Sequence, residues 1–153
     1  GLHLFPTLEV YLGCLALYPA LTVGTNGFGP IDVLATVVTG GAILIELVAD
    51  EQLRAFNDAK IPGEICQVGL WRWSRHPNYF GELSFWWGLW LFGLAADPAW
   101  WWTVVGPLAM TAMFVFASIP MMDKRSAERR PGFAAYAERT SMIVPMPPKA
   151  DAT

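Results

Sequence analysis

Charge is what this sequence has least of. Charged side chains make up 15% of its 153 residues, against about a quarter in ordinary soluble domains, so a water-facing surface around the whole chain would be hard to build. The net charge of −3 gives no hold on a nucleic-acid backbone, and no nucleic-acid partner is expected. There are 2 cysteines, Cys14 in an apolar stretch and Cys66 in a polar one, so no disulfide framework is read. The 2 histidines, His3 and His76, lie far apart without a ligand pattern around them, which leaves the metal reading weak. No GxGxxG follows a strand and no GxSxG occurs, which removes a soluble dinucleotide fold and a nucleophile elbow. Repeats and low-complexity tracts are absent too, and the length suits one domain. The chain starts mid-phrase at GLHLFPTLEV, with neither signal peptide nor initiator methionine, and an N-terminal part is expected to be missing.

Apolar length is what the sequence does have. Hydrophobic residues make up 54% of it, including 8 tryptophans. Four apolar stretches stand out, at about 4–23, 30–49, 83–96 and 99–120. A spanning helix needs about 20 such residues; the third stretch reaches that only if its helix starts near Tyr79 or Phe80, which puts Glu82 inside the membrane boundary. All ten basic residues fall in two segments: Arg54, Lys60, Arg72 and Arg75, then Lys124, Arg125, Arg129, Arg130, Arg139 and Lys149. The loops 24–30 and 96–98 carry none. The expected fold is therefore all-α, a multi-pass membrane bundle of about four spans. Residues 50–78 and 121–153 would face the cytoplasm, and Trp100, Trp101 and Trp102 the outer interface. The rival is a soluble protein with a helical core. The tail MPPKADAT is expected to be loose, with 1–149 as the folded domain and 150–153 outside it.

The polar residues gather at two places. Glu46, Asp50 and Arg54 recur every four residues and share a helix face, and an acid within a span is by default a functional hypothesis; an interfacial ion-pair ladder is the plainer reading. Glu9 is a lone acid in the first stretch, and its neighbours Thr7 and Tyr11 suggest no role. The second place is GLWRWSRHPNYFGE, residues 69–82. Pro77 disfavours helix at His76, so RHPN should break the chain and leave backbone amides free, with Asn78 as N-cap of a new helix and Glu82 one turn further in. A helix N-terminus suits anions, Arg72 and Arg75 suit phosphates, and Trp71, Trp73, Tyr79 and Phe80 offer faces to a flat ring. Against this, the arginines could simply snorkel to headgroups and His76 could make a structural hydrogen bond. In the tail, Asp123, Arg125, Arg129, Tyr136 and Arg139 could close over the cytoplasmic mouth, or form an amphipathic helix on the headgroups. Phe133, Tyr136 and 142–145 suggest a short helix whose rings pack back on the spans.

GLWRWSRHPNYFGE, preceded by ELVADEQLRAF and followed by RPGFAAYAERTSMIVPMPPK, resembles the C-terminal part of the steroid 5-alpha-reductase superfamily, most of all its bacterial branch. The resemblance runs from about residue 5 to 149 and extends to the sterol C14 reductases and to isoprenylcysteine carboxyl methyltransferase, which shares RHP-x-Y-x-G. It implies that Asn78 and Glu82 lie by the nicotinamide of NADPH and are the catalytic pair, and that Asp50 and Tyr136 touch the cofactor. Arg54, Arg72, Trp73, Arg75, His76 and Tyr79 would complete the cofactor face. Glu46 stands where the reductases have asparagine. Their arginine and histidine after the last span have no counterpart here, which leaves Arg125, Arg129 or Lys124 for the phosphates. Residues that polarise the substrate carbonyl come from more N-terminal helices, so the expectation is a cofactor half-site. The implied activity is NADPH-dependent reduction of a C=C bond conjugated to a carbonyl in a steroid or other lipid-like substrate, in the bacterial inner membrane. An S-adenosylmethionine-dependent methyltransferase is the alternative, with Asp123 as the feature most compatible with it. An inert membrane component that kept only the fold is the third class.

Overall fold

The computed structural model describes residues 4–24, 27–59 and 62–149. His3, Lys60, residues 25 and 26 of the first loop and the tail 150–153 lie outside the described residues. Within them the regular structure is helical and no strand is formed. The helices are α1 (Leu4–Cys14), α2 (Pro30–Ala59), α3 (Pro77–Ala96), α4 (Val105–Met113), α5 (Ile119–Arg129) and α6 (Phe133–Arg139).

Prolines set most of the boundaries. The first apolar stretch does not run as one helix, because Pro19 has no N–H to bond the carbonyl of Leu15. That carbonyl takes the Tyr18 N–H at 3.3 Å instead, and a π turn, Pro19–Val23, follows. The third stretch starts two or three residues earlier than expected, at Pro77, where a fixed φ and a missing donor suit the first helical position. The fourth is the longest: a 3-10 segment (Pro98–Val104), α4, a π turn (Phe114–Ser118) and α5 follow without a break. Pro120 would leave a carbonyl of the preceding turn unbonded, and a π turn at that place absorbs the mismatch.

Two runs are long and apolar enough to cross a membrane, Pro30–Ala59 with 30 residues and Pro98–Arg129 with 32. At 1.5 Å per residue either exceeds the roughly 30 Å of a hydrocarbon core. Their apolar side chains are mostly turned outward: Val33, Leu34, Val37, Leu44 and Leu47 on α2, Leu108 and Phe116 on the other run are exposed. A helix so apolar would be buried in a soluble protein.

The described chain forms two units, one of residues through Ile43 with Glu82–Phe114, the other of Leu44–Gly81 with the segment from Val115 on. In the first, α1 meets α4 at backbone distance, since a Cβ on Gly106 would collide with the carbonyl of Leu12. Thr103 is fully buried there and Glu9 nearly so, at 6% exposure. The Trp87 indole donates to the Thr111 hydroxyl at 3.2 Å.

The second unit is held by side chains bonding to backbone. A 3-10 turn, Gly69–Arg72, opens on Gly69 with φ +54, a left-handed conformation that other residues resist. The Gln52 side chain of α2 accepts from the Leu70 N–H at 2.8 Å. Trp71 is buried and its indole donates to the Ala49 carbonyl at 2.8 Å. Beyond α6 the chain is fixed through Lys149, including 146–149, where looseness was expected. Arg75 N–H donates to Ser141 at 2.8 Å, Met146 N–H to Trp73 at 3.0 Å and Lys149 N–H to Arg139 at 3.0 Å. The Ser74 hydroxyl donates to Ile143 at 2.7 Å. Backbone groups of the motif thus serve as partners for 141–149, and the Met146–Lys149 part of the expected loose tail is ordered.

Candidate cofactor site

The motif turn and α5 meet around one carboxylate. Asp123, at the fifth position of α5, faces the Arg75 guanidinium and the His76 ring just before α3. The His76 ring donates from Nε2 to Oδ1 at 2.9 Å, and Arg75 Nη2 lies 3.3 Å from Oδ2. All three side chains are largely buried, at 12%, 15% and 19% exposure for His76, Arg75 and Asp123. Arg75 Nε is buried with no hydrogen-bond partner. The His76 ring stacks on Tyr79, nearly parallel at 7° with centroids 5.3 Å apart.

Local backbone explains why these groups converge. Ser74, fully buried, accepts the His76 N–H at 3.1 Å while donating to the C-terminal segment. The Arg75 amide is bonded to Ser141. The free amides expected at RHPN are therefore in use, and a bare anion nest is not formed. Asn78 is not the N-cap either. His76 takes that place, its carbonyl accepting the first helical N–H from Phe80 at 3.1 Å, and Asn78 sits inside α3 with Oδ1 accepting from the Tyr79 N–H at 3.0 Å.

These residues wall a cavity of about 190 Å³. Arg75, His76, Asn78 and Tyr79 supply one side, Trp71, Phe133 and Tyr136 the aromatic floor, and Leu53, Phe56 and Asn57 of α2 another side. Met122 and Ser126 of α5 and Arg130 just beyond it, spaced by four, close it with Cys66. Tyr136 is 3% exposed and its hydroxyl donates to the Trp71 carbonyl at 2.5 Å. Burial pushes that phenol well above the ordinary tyrosine range; the neighbouring Cys66 adds to the shift and Arg75 opposes it. Burial likewise raises the Cys66 thiol, against a backbone bond at Val68 and the charge of Arg130. Both groups are therefore neutral at physiological pH.

Of the residues expected at the site, Arg75, His76, Asn78, Tyr79 and Tyr136 share this cavity. Glu82 follows Asn78 by one turn on α3, half-buried, and does not line it. Asp50 is exposed. Arg54, also exposed, pairs with Glu51 at 2.6 Å, so the Glu46–Asp50–Arg54 ladder is not formed. Trp73 is 43% exposed, Arg125 is exposed on α5, and Arg72 lines a separate cleft. Sequence reading missed the cavity roles of Asn57, Cys66, Ser126 and Arg130, and placed Asp123 in the tail and with the methyltransferase alternative without its His76 and Arg75 partners. The four-residue spacing of Met122, Ser126 and Arg130 was the available signal.

The chain belongs to the family described as protein of unknown function (DUF1295), whose model matches residues 1–140, a steroid 5-alpha-reductase-like family. It is similar to the uncharacterised protein C594.04c of Schizosaccharomyces pombe, at 26% identity over 94% of this chain and 48% of that protein. The chain spans about half the length of that relative. No solved structure matches it.

Proposed function

We propose that this chain is the cofactor-binding part of a four-span, multi-pass reductase of the bacterial inner membrane. It would use NADPH to reduce a C=C bond conjugated to a carbonyl in a lipid-like substrate, with 50–78 and the C-terminal segment facing the cytoplasm. The observation that carries this is the unpartnered Arg75 Nε, buried in the wall of an aromatic cavity beside the His76–Asp123 pair. A buried donor without an acceptor costs about 1–3 kcal/mol, and a carboxamide or phosphate oxygen would satisfy it.

The cavity fits one flat ring and part of a sugar. It falls short of the roughly 300–1,000 Å³ of whole-ligand sites, so the rest of a dinucleotide would lie outside it. NADPH, when bound, would supply a hydride for the β carbon, and solvent would supply the proton for the α carbon. The chain's own residues bind and orient. Tyr79, fixed against His76, offers a ring face; Asn78, in the cavity wall, directs the carboxamide; Asp123 holds Arg75 and His76 toward the cavity. The aromatic floor keeps water from the ring. The family relationship and the outward apolar faces of α2 support a membrane setting, through which a lipid-like substrate would arrive. The alternative is an S-adenosylmethionine-dependent methyltransferase; the engagement of Asp123 with His76, at the mouth of α5, favours that second reading.

The test is ligand-dependent thermal stability of the purified chain with NADPH, NADH and S-adenosylmethionine, beside NADPH oxidation with an enone lipid. Stabilisation by NADPH that is lost in Asn78→Ala is the expected result. Stabilisation by S-adenosylmethionine alone would replace the reductase with the methyltransferase.

A further inference from the structure

Reduction of a C=C bond consumes a proton as well as a hydride. The α carbon is bonded to the β carbon that receives the hydride, so its proton must arrive at the same ring site. That confines the proton-carrying group to the wall of the cavity. The wall holds few candidates. Arg75 and Arg130 line it, but a guanidinium does not release its proton in a protein. An unperturbed phenol or thiol keeps its proton at neutrality, and burial tightens that hold on Tyr136 and Cys66. The Tyr136 hydroxyl is moreover engaged with the Trp71 carbonyl. Histidine is the side chain that exchanges protons near neutral pH, and His76 lines the cavity.

Its surroundings suit that work. His76 Nε2 donates to Asp123 Oδ1 at 2.9 Å, which fixes the neutral tautomer with its hydrogen on Nε2 and steadies the charged ring when it forms. Asp123 is held in turn by Arg75 Nη2 at 3.3 Å, so the carboxylate remains an acceptor. The ring lies flat on Tyr79, with 7° between the planes, and the His76 backbone N–H is tied to Ser74. Nδ1 has no hydrogen-bond partner among the described residues. It is the ring atom left to take a proton from water and release it.

We propose that His76, oriented by Asp123, relays the solvent proton to the α carbon of the substrate. This rests on the reductase reading. As the hydride reaches the β carbon, the C=C electron pair moves toward the carbonyl and an enolate forms. The Nδ1–H bond then breaks and a C–H bond forms at the α carbon. The ring is left neutral, its Nε2–H still on Asp123, and water returns a proton to Nδ1.

The first test needs no turnover. The chain has 2 histidines, His3 and His76, so nitrogen-labelled histidine in detergent gives ring signals that His3→Gln assigns. The expected His76 ring takes up a proton as pH falls from about 8 to 5 and carries its hydrogen on Nε2 when neutral. A ring fixed in the Nδ1–H tautomer, or one that never changes protonation over that range, overturns the relay. The second test measures NADPH oxidation with a long-chain alkyl enone, beside NADPH affinity from tryptophan quenching. His76→Gln, with His76→Asn should the first fold poorly, is expected to lower kcat by about 100-fold or more while NADPH affinity is kept. Free imidazole should restore turnover to His76→Gly, and Asp123→Asn should lower turnover with the ring tautomer released. A His76→Gln chain with the parent's kcat, or one whose lost turnover follows lost NADPH affinity, overturns the relay and leaves the reductase standing. A parent that oxidises no NADPH with the enone removes both.

Discussion

Replacing Asp123 tests the site most directly, because an arginine and a histidine depend on one carboxylate. Asp123→Ala removes the partner of the His76 ring at 2.9 Å and of Arg75 at 3.3 Å. Breaking a fully buried pair typically costs about 3–5 kcal/mol. Here the groups keep 12–19% exposure, the guanidinium contact is long, and water can enter the space left behind. Those three facts bring the expected loss to about 2–3 kcal/mol for Ala. Asn keeps one accepting oxygen, so its loss should be about 1–2 kcal/mol. For a chain of this length one kcal/mol moves Tm by about 2–4 °C, so Asp123→Ala should unfold about 5–10 °C lower. Tryptophan fluorescence in detergent is a suitable readout, with Trp71 buried in the same unit. A cycle with His76→Ala should show coupling, because the two side chains share a bond. An Asp123→Ala chain within about 1 °C of the parent, or a strictly additive cycle, would refute the claim that this carboxylate organises the turn.

Other consequences are as specific. Cys66 and Tyr136 are neutral when protonated, and both bind their protons more tightly when folded than at their ordinary values of 9.0 and 10.0. The unfolded chain releases those protons first, so stability should be full below about pH 9 and fall as pH rises beyond it; Tm against pH for the parent and for Tyr136→Phe checks this, the variant losing part of the slope. Tyr136→Phe also leaves the buried Trp71 carbonyl without its hydroxyl donor, a loss of about 1–3 kcal/mol measurable by thermal unfolding at neutral pH. Gly69→Ala should cost about 1–2 kcal/mol for the left-handed backbone alone, and more because its Cβ would meet the Gln52 amide. Arg54→Ala, in contrast, disrupts only an exposed pair with Glu51 and should leave Tm unchanged within about 1 °C.

The helices were legible because hydrophobic length is a property of sequence alone: the starts of α2 and of the long run from Pro98 fall within a residue of the apolar stretches, while both run about ten residues past the apolar ends, since polar residues continue a helix that hydropathy does not mark. Pro19 and Pro77 carried further information that length could not, moving one boundary and breaking another helix. The short helix of Phe133 and Tyr136 was legible from its ring spacing. The partners were not. Nothing local in MDKRSAERR says that Asp123 reaches His76, since 47 residues separate them and the pairing depends on how α5 emerges from its π turn. The Asn78 cap failed for a more local reason: a proline at the first helical position hands the cap to the residue before it, which made His76 the end of the turn. The Glu46–Asp50–Arg54 spacing was correct as geometry, but Glu51 offered Arg54 a closer carboxylate.

The segment that bonds to Ser74, Arg75 and Trp73 has a consequence for how the protein is made. Residues 141–149 follow every helix described in the chain, so they leave the ribosome after all of them. Until then the Arg75 amide and the Ser74 hydroxyl have no carbonyl to bond, and the walls of the cavity have no outer support. A chain cut short before Ser141 would therefore form its helices and still lack these bonds to the motif turn.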